Sequence, residues 1–237
     1  MKRTEFTLVF IPGLLSDRRV WEPAASLVSK KFTQPVKFIE FDLEDNITRM
    51  AETVLDETGG PLVLLGHSMG ARVALEAARL AGKRIEALAL FDTGTHPLKP
   101  GEIEKRQAVI DLAYDHGMSV LVNSWLPQML HEKSLKDKAI FDPLFDMVIT
   151  KTPQLHERQI HALINRPDAV KTLESINCPV LLGVGSDDKW SPVSQHREMQ
   201  SMLPSANLAI IDDAGHFSQF ENPAQAAFHI LNWLASL

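Results

Sequence analysis

Apolar residues in this chain fall into two alternating patterns. Short continuous runs read as strands buried on both faces: Phe6 to Ile11, Val36 to Phe41, Leu62 to Leu65, Ile85 to Phe91, Val180 to Val184 and Leu208 to Ile211. Between them apolar positions recur at helical spacing. Val20, Trp21, Ala24, Leu27 and Val28 form one such face, with Ser16 or Asp17 placed to cap it. Ile47, Met50, Ala51, Val54 and Leu55 form a second, closed by Gly59-Gly60-Pro61. Leu75, Ala78 and Leu80 belong to a third, the stretch from Val193 to Leu203 to a fourth, and Ala226, Ala227, Ile230, Leu231 and Leu234 to a last helix opened by Pro223. Strand alternating with helix predicts an α/β fold with a mostly parallel sheet and right-handed crossovers.

The alternation breaks from about His96 to Leu173, where charge rises and strand runs disappear. Met118, Leu121, Val122 and Trp125 fit a helical face that stops at Pro127. Ile140, Leu144, Phe145 and Val148 suggest a second helix, and Leu155, Gln159, Ala162 and Leu163 a third. The expected organisation is one structural domain, with a core of residues 1–95 and 174–237 and a helical insertion over 96–173. The insertion's Met, Trp and Phe side chains pack its helices on one another, and other faces of it are placed to cover a site.

The stretch around which the chain is organised is Pro61 to Leu75. An apolar strand run passes through Gly66-His67-Ser68-Met69-Gly70 into an Ala-rich helical pattern. Strand, G-x-S-x-G and helix in succession is the context of a nucleophile elbow, where a serine occupies a sharp turn. Glycines on both sides remove Cβ atoms that would strike the neighbouring strand and helix. Such a turn sets Ser68 at a helix N-terminus, where free N–H groups favour an oxyanion. The plainer alternative is a serine that only caps the helix.

Acyl transfer by serine needs a base for the hydroxyl proton and an acid to orient that base. In a parallel sheet these groups belong just after strand C-termini. Ser68, Asp188 and His216 meet that placement in chain order. Asp92, also after a strand, is read as a turn cap rather than a second acid, and His67 as a hydrogen-bonded or pocket-lining residue.

Four motifs in this order make the chain resemble the α/β-hydrolase superfamily over nearly its whole length. Gly66 to Gly70 is similar to the elbow, and Gly185-Ser186-Asp187-Asp188-Lys189-Trp190-Ser191-Pro192 to the acid loop. Asp213-Ala214-Gly215-His216-Phe217 resembles the histidine loop, and Phe10-Ile11-Pro12-Gly13-Leu14-Leu15 the oxyanion loop. The resemblance implies an α/β-hydrolase fold with a helical lid, and a triad of Ser68, Asp188 and His216, since the family's acid stands three after the Gly and four before the Pro. Asp187 is the neighbouring alternative. It implies an oxyanion hole of the Leu14 and Met69 N–H groups, with Pro12 where a His commonly precedes the glycine. Arg72, one turn after Ser68, stands where an arginine binds a substrate carboxylate in the menaquinone-pathway lyase of this superfamily. Pairing with a nearby acid is its other reading. Arg158 and Arg166 are further candidates for a substrate acid, and Trp125 and His67 for contact with substrate.

Composition narrows the remaining classes. The chain has 237 residues and a formal charge of −6, without a Lys/Arg stripe interleaved with aromatics, which argues against nucleic acid as a partner. The single cysteine, Cys178, cannot form an internal disulfide. No apolar run reaches membrane-spanning length, and the N-terminal run stops at Pro12, so a cytoplasmic protein is expected. No metal-ligand spacing appears, since His156 and His161 are five apart, and Gly13-Leu14-Leu15 does not continue as a dinucleotide fingerprint; no cofactor is expected. The reading is a serine hydrolase acting on a small, partly apolar carboxylic ester or thioester. Two alternatives stand beside it: a lyase using the same triad as a base, and a small-molecule receptor on the same scaffold.

Overall fold

The computed structural model describes residues 5–237. Six strands form one parallel sheet: β1 (Thr7–Ile11), β2 (Val36–Phe38), β3 (Leu62–His67), β4 (Ile85–Phe91), β5 (Val180–Gly185) and β6 (Asn207–Ile211), in spatial order β2-β1-β3-β4-β5-β6. Helices α1 (Glu22–Ser29), α2 (Ile47–Asp56) and α3 (Met69–Ala81) connect the first four strands. Between β4 and β5 the chain runs through α4 (Glu102–Trp125), α5 (Lys138–Ile149), α6 (Pro153–Ile164) and α7 (Val170–Glu174). Helix α8 (Val193–Met202) joins β5 to β6, and α9 (Ser218–Glu221) and α10 (Pro223–Ala235) follow β6.

The continuous apolar runs have a direct structural cause. Side chains of a strand alternate between faces, and both faces of this sheet are covered. On one face Leu8, Phe10, Val63 and Leu65 pack with Trp21, Val28, Ile230 and Trp233 of the α1 and α10 side. On the other, Val9, Ile11, Leu62 and Leu64 pack with Met50, Val54, Ala71 and Leu75 of α2 and α3. Each such side chain taken fully from water contributes about 1.5–3 kcal/mol before entropy is counted. No helix among the described residues is long and apolar enough to cross a membrane.

Three local expectations change. Edge strand β2 ends at Phe38, although Ile39 and Phe41 remain buried beneath α2. Asp17 caps a short 3₁₀ turn at Arg18–Val20 by accepting from the Arg19 N–H, and α1 begins only at Glu22 with Pro23 in its first turn. The helix expected around Met118 to Trp125 has a longer N-terminal arm, from Glu102, joined to it at Gly117 with φ of 81°. Most residues of that arm face solvent, so the apolar period that marks a helix is weak there.

Strand register brings the chemistry to one level. His67 at the end of β3 pairs with Phe91 at the end of β4. The Ser68 N–H donates to the Phe91 carbonyl at 2.8 Å, and the Asp92 N–H to the Gly183 carbonyl at 2.9 Å. The turns after β3, β4 and β5 therefore open at the same end of the sheet.

Candidate active site

Ser68 stands between β3 and α3 with φ of 53° and ψ of −111°, a conformation non-glycine residues rarely adopt. The flanking glycines make that turn possible. A Cβ on Gly66 would run into the Ala71 backbone and the Gly70 carbonyl, and one on Gly70 into the Ile11 and Pro12 carbonyls. The serine hydroxyl is thus pressed to the top of the sheet by a turn that fits only between bare backbones.

The structure brings the three candidate catalytic side chains together. Ser68 Oγ lies 2.9 Å from His216 Nε2, and His216 Nδ1 lies 2.8 Å from Asp188 Oδ2. Asp188 Oδ1 accepts from the Trp190 and Ser191 N–H groups at 2.8 and 2.9 Å. Burial by itself would raise the Asp188 carboxyl, but the His216 ring and those two N–H groups outweigh it and hold it below the ordinary carboxylate value. Asp187, the alternative acid, is turned to the surface, where it accepts from Ser186 Oγ.

The histidine loop is held from several sides. His216 donates its N–H to the Met129 carbonyl at 2.6 Å, and His67 Nε2 donates to the His216 carbonyl at 2.7 Å. Burial, with the His216 charge, pushes His67 down to about 3, so it stays neutral and acts as a fixed donor. The Glu221 carboxylate accepts from the N–H groups of His131, Gly215 and Phe217. Asp92 is not a local turn cap, contrary to expectation. Its fully buried carboxyl accepts from the Gly185 N–H and from Ser218 N–H and Oγ, joining the ends of β4 and β5 to the histidine loop. Burial and the nearby Asp188 charge push its pKa well above the ordinary value.

Leu14 and Met69 both line the cavity above Ser68. Met69 is the first residue of α3, so its N–H has no acceptor within the helix. Among the described residues the Leu14 N–H has no partner either, whereas the next one, Leu15 N–H, donates to Gln159 Oε1 at 2.7 Å. Leu15 has φ of 55°, and Gln159 also donates from Nε2 to the Phe41 carbonyl at 3.2 Å. Lys151 adds an ion pair to Asp17 at 2.7 Å. Two residues of the α5–α6 region therefore fasten the loop after β1. Gln159 reads in sequence as one position of a helical face, and a polar side chain at a buried helical position was the available signal.

The cavity has a volume of about 510 Å³ and is lined by Ser68, His216 and His67 together with Trp125, Met129 and Phe217. Trp125 packs edge-on against Phe217 with ring centroids 6.2 Å apart. Arg72 lines the same cavity and donates from Nη2 to the His96 carbonyl at 3.0 Å. Arg166 lines it as well, but Arg158 points to the surface and donates to the Asp42 carbonyl. Glu102, Arg106 and the half-exposed Trp190 are cavity residues that the sequence alone did not single out.

Residues 8–228 match the profile of a family described as the alpha/beta hydrolase family. Over 168 residues the chain is 26% identical to an N-formylmaleamate deformylase of Pseudomonas putida, a match covering 67% of this chain and 58% of that protein. It spans 62–66% of the length of three other curated relatives, at 23–26% identity. Among solved structures it is similar to a thermophilic esterase from Thermogutta terrifontis, with a TM-score of 0.87 at 24% identity, covering 98% of this chain and 90% of that one. It is also similar to the enol-lactonase from Burkholderia xenovorans LB400, with a TM-score of 0.86 at 20% identity, covering 98% and 92%.

Proposed function

The chain belongs to the alpha/beta hydrolase family, and from that premise we propose that it is a serine hydrolase cleaving a carboxylic ester or thioester of a small, partly apolar substrate. The observation that carries this reading is the continuous relay from Ser68 Oγ through His216 to Asp188, with contacts of 2.9 and 2.8 Å. His216 Nε2 takes the hydroxyl proton as Ser68 Oγ attacks the carbonyl carbon. Asp188 fixes the ring with Nδ1–H toward itself and stabilises the imidazolium that forms. The N–H groups of Leu14 and Met69 receive the negative charge that develops on the carbonyl oxygen. His216 then gives its proton to the leaving alkoxide or thiolate, and an acyl-serine remains. Water enters by the same steps in reverse order, which returns the free acid and the serine.

Residues 96–173 act as the lid in this reading, and their apolar side chains Trp125, Met129 and Ile160 favour an apolar portion in the substrate. The test is steady-state hydrolysis of p-nitrophenyl esters from acetate to laurate by the wild type beside Ser68→Ala. The expected loss in kcat is roughly 10⁴-fold or more, because the triad acts as a unit. Equal turnover by a folded Ser68→Ala protein refutes the reading. Trapped acyl-serine from a turned-over ester separates hydrolysis from an elimination that uses the same three residues as a base.

A further inference from the structure

Helix α6 presents one stripe of side chains to the cavity above Ser68. His156, Ile160 and Leu163, spaced by four and three residues, all line it. Gln159, on the neighbouring stripe, bonds the Leu15 N–H and the Phe41 carbonyl, which fixes the helix in rotation about its axis. His156 is 2% exposed, and its own N–H is satisfied by the Thr152 carbonyl at 3.1 Å. What is left over is the ring.

The other buried histidines each have a ring partner. His67 has the His216 carbonyl, His131 the Lys133 N–H and His196 the Thr93 N–H, while His216 joins Ser68 to Asp188. Among the described residues His156 has no hydrogen-bond partner on either ring nitrogen. Nδ1 is sealed from water and Nε2 is not, so Nε2 is the open nitrogen of this buried, cavity-lining ring. A buried polar ring without a partner is uncommon in a folded protein and calls for a cause. Burial, with the Arg106 guanidinium beside it, pushes His156 down to about 4, so the ring is uncharged at neutral pH. The tautomer that a free imidazole side chain prefers carries its proton on Nε2, which here is the nitrogen an acceptor can reach. The neighbouring polar groups are donors or acceptors already in use. Arg106 has only N–H groups, and the Glu102 oxygens accept from Arg106 and Arg166. A hydroxyl brought to this place would add a proton without an acceptor, whereas a carbonyl oxygen accepts and donates nothing.

We propose that His156 is a substrate-binding residue whose Nε2–H donates to a second, uncharged carbonyl oxygen of the substrate, so that the cavity selects keto esters over plain alkyl esters. The proposal rests on the serine-hydrolase reading. In that reading the scissile carbonyl belongs to the Leu14 and Met69 N–H groups, so the oxygen at His156 is a different one. Ile160 and Leu163, on the same stripe, pack against the apolar chain that joins the two carbonyls.

The experiment measures kcat/KM for p-nitrophenyl 4-oxohexanoate and p-nitrophenyl 5-oxohexanoate against p-nitrophenyl hexanoate, in the wild type, His156→Leu and His156→Gln. The ratio of keto ester to hexanoate is read within each protein, so the active fraction cancels. Comparing that ratio between proteins cancels the reactivity and hydration of the ketone itself. For at least one keto ester it is expected to fall about threefold or more in His156→Leu, the size of one neutral hydrogen bond. His156→Gln, whose side-chain nitrogen also donates, is expected to keep most of the ratio. A smaller fall for both keto esters in His156→Leu, or an equal fall in His156→Gln, overturns the proposal. A second arm needs no turnover and so separates this proposal from the hydrolase reading. In Ser68→Ala protein labelled with ¹⁵N-histidine, the His156 Nε2 resonance is expected to move with one of the keto esters and to stay in place with the hexanoate. That result supports the site even if the wild type cleaves no ester. Shifts of equal size with keto ester and hexanoate, or none with any of the three, overturn it.

Discussion

Replacing Gln159 with leucine keeps the side-chain volume but removes both bonds that hold the loop after β1. The Leu15 N–H then loses its acceptor at 2.7 Å, and the Phe41 carbonyl its donor at 3.2 Å. Both groups are buried, and each unsatisfied polar group costs about 1–3 kcal/mol, so Gln159→Leu is expected to lose about 2–4 kcal/mol of stability. Against a typical total of about 5–15 kcal/mol the protein stays folded at 25 °C. The more informative effect is on rate. Leu15 is held at φ of 55°, a backbone state that costs about 1–3 kcal/mol and persists only where its surroundings impose it. Once released, Leu15 relaxes, and the Leu14 N–H is expected to turn away from the oxyanion position proposed for it. Removing one such donor outright costs about 10²–10³ in kcat, and a displaced one is expected to cost roughly 10- to 100-fold. The assay is kcat and KM for p-nitrophenyl butyrate, with the urea midpoint measured on the same preparations. KM is expected to stay nearly constant, because the bond lost forms in the transition state. Gln159→Glu keeps an acceptor for Leu15 but not the donor to Phe41, and should retain more of kcat than the leucine variant. A kcat within twofold of wild type in folded Gln159→Leu refutes the link between this side chain and the oxyanion loop.

Two further outcomes follow from the geometry. Gly70→Ala improves local helix propensity by about 1 kcal/mol, yet the added Cβ meets the Ile11 and Pro12 carbonyls; the steric cost of about 3 kcal/mol or more should win, and a Tm at or above wild type would contradict it. Glu102 and Asp17 are both brought down to about 2, Glu102 by Arg166 and Arg106 and Asp17 by Arg19 and Lys151, in each case against the opposing effect of burial. A carboxylate depressed in the folded state stabilises fully above its unfolded pKa and loses that contribution as pH falls through its folded value. Urea midpoints should therefore drop between about pH 4.5 and 2, and Glu102→Gln should make that slope shallower; an identical slope in the variant would refute the assignment.

The sheet was legible in the sequence because a parallel strand covered on both faces must be apolar at every position, as Leu62 to Leu65 are. The elbow was legible because its glycines have no substitute where backbones touch. Ser68, Asp188 and His216 could be placed by their positions after strand ends, since a parallel sheet sends every such turn to one side. What stayed hidden depends on partners distant in the chain. Gln159 bonds Leu15 across 144 residues, and Asp92 bonds Ser218 across 126, so neither pairing leaves a local period. The arm of α4 that carries Glu102 and Arg106 is charged on its exposed face, and its cavity-facing residues look in sequence like ordinary surface charge.

The bonds between the segment after α4 and the histidine loop bear on how this protein can be re-engineered. Met129 and His131 contribute backbone groups to His216 and Glu221, and a Cβ on Gly215 would strike the Met129 carbonyl. Residues 129–131 are thus part of the frame that holds the proposed catalytic histidine, although they lie within the stretch that would be exchanged to change specificity. A chimera that grafts another protein's helices between β4 and β5 inherits a misplaced histidine unless it retains residues 129–131 together with 215–221. Grafts that begin after His131 leave those backbone contacts intact, but they must also retain Gln159 and Lys151, whose bonds to Leu15 and Asp17 fasten the loop after β1.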